Sequence, residues 1–150
     1  MGLDKVEVSN LIADIIDSGT EVDISERASP GTIDLLENEI GIKLPDDLRE
    51  FLLEYGAIHI CGSYIGGIFN NNLSEHSEGT IKFEVDRFRA DSRIEDDPSF
   101  IVLSCEGLEW YMGVNADDDK VYGFDALAGE YVEQYPSFSS YLVEFLRSLA

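Results

Sequence analysis

Apolar positions recur at helical spacing through the first third of the chain. Leu3, Val8, Leu11, Ile12, Ile15 and Ile16 share a face, and Gly19 stops that helix. Thr20 to Ala28 is polar and reads as a loop. Ser29 and Pro30 form an N-cap and first-turn pair opening a second helix, in which Ile33, Leu36, Glu37 and Ile40 mark one face and Gly41 the end. Pro45 is expected at the first position of a third helix, since its missing N–H has no acceptor there. Asp46 and Asp47 follow at the positive end of that helix, and Leu48, Phe51, Leu52 and Tyr55 repeat at i, i+3, i+4 and i+7 before Gly56.

Beyond Gly56 the period shortens. Ile58 to Phe69 reads as a strand bent near Gly66-Gly67, and Asn70 to Asn72 is turn material. Ser74 to Ala90 is ambiguous: Ile81, Phe83 and Val85 alternate as in a strand, whereas Val85, Phe88 and Arg89 continue a helix. Asp91 to Ser99 is an acidic loop. Phe100–Cys105, Trp110–Val114, Val121–Phe124 and Glu130–Tyr135 then read as strands separated by turns, an antiparallel meander. Ser137 caps a last helix with Phe138, Tyr141, Leu142, Phe145, Leu146 and Leu149 on one side. The expectation is an α+β fold in one domain over residues 1–150. It has an antiparallel sheet of about five to six strands packed with N-terminal helices and a C-terminal helix.

The helical segment carries a resemblance. Ile33, Leu36-Glu37, Gly41, Leu44-Pro45, Leu48, Phe51-Leu52 and Tyr55-Gly56 stand in the order characteristic of the SMI1/KNR4 family, also called the SUKH superfamily, and the segment resembles it. Phe100 to Leu103, the strand from Tyr111 to Asn115 and the Ser137-Phe138 to Phe145-Leu146 helix are similar to further landmarks. The resemblance implies a binding protein: many bacterial members are immunity proteins that neutralise toxins, often nucleases, and fungal members are regulatory interaction proteins.

Charge narrows the class of partner. Thirty-one acids against ten Lys plus Arg give a net charge of -21. That excess disfavours nucleic acid and anionic membrane, both of which require cationic side chains, and favours a basic protein or a multivalent cation. Solubility or salt adaptation accounts equally for acidity of this kind. The 44% hydrophobic content nonetheless marks a folded chain rather than an acidic tail. The start of the chain shows no basic and apolar leader, and two cysteines make no disulfide framework, so a cytoplasmic protein with free thiols is expected.

Candidate chemistry is sparse. Asp117-Asp118-Asp119 lacks the alternation, the glycine and the terminal glutamate of a calcium loop. His59, Cys61, His76 and Cys105 lack zinc-ligand spacing, and no third group orients a His59–Cys61 nucleophile pair. Gly62 to Gly67 lacks the Lys-Ser/Thr ending of a phosphate loop. The expectation is a non-enzyme without cofactor or metal. The candidate partner-binding residues are Glu106, Glu109, Trp110, Asp117, Asp118, Asp119 and Tyr122, where acids flank aromatics. Trp110 reads equally as a core residue with solvated neighbours.

Overall fold

Asp4 starts the first helix by accepting the Glu7 N–H, and α1 (Lys5–Asp17) buries Val8, Ile12 and Ile15. In this computed structural model residues 2–74, 79–95 and 97–150 are described. Helix α2 (Pro30–Ile40) opens as the sequence predicts: the Ser29 hydroxyl accepts the Thr32 N–H, and Pro30 fills the first turn. Gly41 ends it in the left-handed region, at φ 73°. Helix α3 (Asp46–Glu54) begins one residue later than expected, because Pro45 is extended and acts as the cap. Ile33, Leu36, Ile40, Leu48, Phe51 and Leu52 are all buried. Each such burial is worth about 1.5–3 kcal/mol against exposure.

Two sheets replace the single expected one. The first is three-stranded and antiparallel: β1 (Val22–Ile24), β2 (Ile58–Ile60) and β3 (Ser63–Ile65). Strand β1 falls inside the segment read as a loop. Three residues are too few for alternation to register, and pairing with β2 supplies the order. A turn at Cys61 and Gly62, both with positive φ, splits the expected long strand into β2 and β3. The second sheet is a meander of β4 (Phe100–Glu106), β5 (Trp110–Asn115), β6 (Val121–Asp125) and β7 (Glu130–Tyr135). Gly66 lets the chain pass closely over β4, where its N–H donates to the Leu103 carbonyl at 2.9 Å.

The ambiguous segment is resolved as helix. Thr80 caps α4 (Ile81–Ala90), Lys82 pairs with Asp86 at i, i+4, and Ile81, Val85 and Phe88 are buried on one side. Phe83, the residue that suggested strand alternation, is half-buried with the Arg87 guanidinium over its ring. Helix α5 (Phe138–Leu149) is capped by Ser137 and packs against α1, α3 and β7. Asp47 fastens its start: one carboxylate oxygen accepts the Ser139 N–H and the other the Leu48 N–H.

Candidate protein-binding site

The register of the meander sorts its side chains onto two faces. Tyr111, Tyr122, Phe124 and Tyr131 share the face toward α4, where Phe88 meets Tyr111 and Phe124 edge-on at 5.1 and 5.6 Å. Ser104, Trp110, Met112 and Gly123 share the other, toward α5. There the Trp110 indole lies diagonally across Gly123, and a Cβ at that glycine would run into the ring. Glycine at 123 is therefore what lets Trp110 lie flat against the sheet while staying half-exposed.

Between this face, β3 and α5 lies a groove of about 450 Å³. Its walls are Tyr64, Trp110, Tyr135, Tyr141 and Phe145, with Ser104 beneath and the carboxylates of Glu106 and Glu144 exposed at its rim. Tyr135 and Tyr141 pack at 5.4 Å between centroids. Burial pushes the Tyr141 phenol up to about 12 while its hydrogen bond with Ser104 partly opposes that, so the ring is neutral at physiological pH. Among the described residues no Lys or Arg lines the groove. Aromatic faces beneath two carboxylates suit the side chain of an arginine or lysine, through cation–π contact and charge-assisted hydrogen bonds.

The seven sequence-predicted residues do not gather into one patch. Glu106, Glu109 and Trp110 cluster at the β4–β5 turn, where the Glu109 carbonyl accepts the Ala126 N–H from the neighbouring turn. Asp117, Asp118 and Asp119 lie exposed at the β5–β6 turn, the far end of β5. Six residues of strand separate the two ends, about 17–20 Å at roughly 3.4 Å per residue. Tyr122 faces away from the groove, and its hydroxyl donates to Asp118 at 2.5 Å. Asp118 also accepts the Lys120 N–H, so it builds the hairpin. Asp119 lies toward Asp47, whose carboxyl is raised first by burial and further by the Asp119 charge.

A family model described as SMI1-KNR4 cell-wall matches residues 8–147. The chain belongs to the SMI1/KNR4 (SUKH) family. No curated protein matches it significantly. The residues that carried the resemblance acquire physical roles in this SMI1/KNR4 chain. Glu37 joins α2 to α3 by accepting the Leu44 N–H at 2.7 Å and the Arg49 guanidinium at 3.0 Å. Gly56 has φ 72° and sits against the carbonyls of Glu26 and Ile68, leaving no room for a side chain.

Nucleophilic and metal chemistry find little in this SMI1/KNR4 structure. Burial pushes the Cys105 thiol up, so it stays protonated at neutral pH. Cys61 is exposed in the β2–β3 turn. His59 packs against Phe69 and Tyr64, and burial lowers its pKa, which keeps the imidazole neutral. His76 lies outside the described residues. Among the described residues no group of three or more His, Cys, Asp or Glu could hold a metal. No described helix is long and apolar enough to cross a membrane.

The scarce cations are largely spent inside the molecule. Arg27, Arg49, Lys82, Arg87, Arg93, Lys120 and Arg147, seven of the ten, pair with carboxylates. Arg89 donates to the Ile40 carbonyl at 2.6 Å. Tyr64, Ser104, Tyr135, Tyr141, Glu144 and Phe145 were not among the partner-binding candidates read from the sequence. All six looked like ordinary strand or helix positions, and only the return of α5 across the sheet brings them beside Trp110.

Proposed function

We propose that this chain is a non-enzymatic protein-binding module of the cytoplasm, an immunity protein that neutralises a cognate toxin by occluding its cationic substrate-binding surface. The reading rests on one observation above all: a groove walled by Trp110 and four further aromatics carries Glu106 and the Arg147-paired Glu144 at its rim and, among the described residues, no cation in its lining. A cleft that holds phosphates presents Arg and Lys, and an ordered set of carboxylates attracts the same side chains. Trp110 serves as the anchor, Glu106 and Glu109 as its flanking charges, and Asp117 to Asp119 as a second, more distant contact that steers encounter. Tyr122 contributes by holding Asp118 in place.

The cell-wall wording of the matching family description favours a second reading, a regulatory module for an endogenous basic partner. Co-expression with basic toxins encoded by any adjoining genes separates the two. The immunity reading expects rescue by the native chain and loss of rescue in a folded Trp110→Ala, Glu144→Gln double variant. Absence of rescue by the native chain overturns it.

A further inference from the structure

Strand β7 ends the four-stranded sheet. The direction of its backbone groups follows from the bonds that flank β5 and β6. The Asn115 N–H donates to the Lys120 carbonyl, and the Ala126 N–H donates to the Glu109 carbonyl. Those two bonds set the parity of the ladder, so Tyr122 and Phe124 bond toward β5, and Gly123 and Asp125 bond toward β7 through Val132 and Glu130. Tyr131 and Glu133 consequently direct their N–H and C=O groups away from the sheet. Among the described residues, no backbone hydrogen bond outside the sheet reaches β7.

Such an edge invites another strand unless something blunts it. A bulge shifts the register beyond Glu133, but the regular stretch from Glu130 to Glu133 contains no proline and no lysine, and Tyr131 and Val132 are 40% and 45% exposed, one on each face. The carboxylates on this edge are Glu130, which is exposed, and Glu133, which accepts from the Lys120 ammonium at 3.1 Å. A second copy pairing here would bring together two molecules of net charge -21 along an edge that carries glutamates and no lysine or arginine. A cationic strand would meet the exposed Glu130 carboxylate and would compete with Lys120 for Glu133. The edge is also continuous with the groove, because Tyr135 at the end of β7 forms part of the groove wall.

We propose that β7 is a docking edge at which an extended, lysine- or arginine-rich segment of the partner protein adds as a fifth strand, bonding the outward groups of Tyr131 and Glu133. The inference rests on the protein-binding function proposed above and supplies its mode. Proline at an outward-facing edge position removes a free N–H without breaking the native ladder, so Glu133→Pro tests the edge and Glu133→Ala controls for the lost charge.

The probe is an amidated peptide of alternating lysine and valine, titrated into the full chain at low salt and followed by amide hydrogen exchange and NMR shifts. The expected result is binding with slowed exchange of the Tyr131 amide, and affinity about tenfold lower in Glu133→Pro than in Glu133→Ala, the worth of about one hydrogen bond. Binding with protection elsewhere and equal affinity of the two variants overturns strand addition and leaves the cationic-partner reading standing. Absence of binding even at low salt overturns both.

Discussion

Gly123 shows how one residue's requirement is set by a neighbour on another strand. Its sequence context, Tyr122-Gly-Phe124, gives no turn signal, and the structure finds it inside β6 with the Trp110 indole across it. Overpacking of this kind costs about 1–3 kcal/mol. Gly123→Ala is therefore expected to lower stability in urea denaturation by that order and to shift the fluorescence of the chain's single tryptophan toward the solvent-exposed value. The Gly123→Ala penalty should shrink in a Trp110→Ala background, since contacting residues couple. An undiminished penalty would show that the indole is not what excludes the methyl. Trp110 and Glu106 were legible in the sequence as an aromatic beside acids. Gly123 was not, because what it accommodates lies across the sheet.

At the scale of elements, punctuation was the legible part. Ser29-Pro30, Gly41, Gly56 and Ser137 all mark real ends, and the four strands of the meander fall within about a residue of their sequence bounds. The single-sheet expectation failed because the turn at Cys61-Gly62 and the close pass at Gly66 depend on tertiary contacts. Helix α5 forms one wall of the groove, so its cap matters to the site. Ser137→Ala is expected to cost about 1 kcal/mol, measured by chemical denaturation.

The Asp47 link between α3 and α5 makes a pH prediction. Burial, the largest cause, raises its carboxyl above the ordinary 3.8. The folded state thus favours the protonated form, and the stability this contributes is full below the unfolded pKa and is lost as pH rises through the raised value. Denaturation midpoints should show the native chain losing ground to Asp47→Asn as pH rises above the ordinary 3.8 and through the raised value. A gap between the two that stays constant with pH would contradict burial as the dominant cause.

At the scale of the whole molecule, charge was legible at once and its arrangement was not. Seven cations fold back onto carboxylates, which leaves the outward field strongly negative. Self-repulsion of that size weakens with screening, so the melting temperature is expected to rise when salt increases from about 20 to 200 mM. The same screening should weaken association with a basic partner. The most direct measurement is calorimetric titration of the chain with a basic toxin domain chosen from any that adjoining genes encode, at about 50 and 300 mM salt. The account predicts a one-to-one complex whose affinity falls steeply with salt and is lost in the Trp110→Ala, Glu144→Gln variant. No association at either salt, or tight binding indifferent to both salt and the variant, would contradict it.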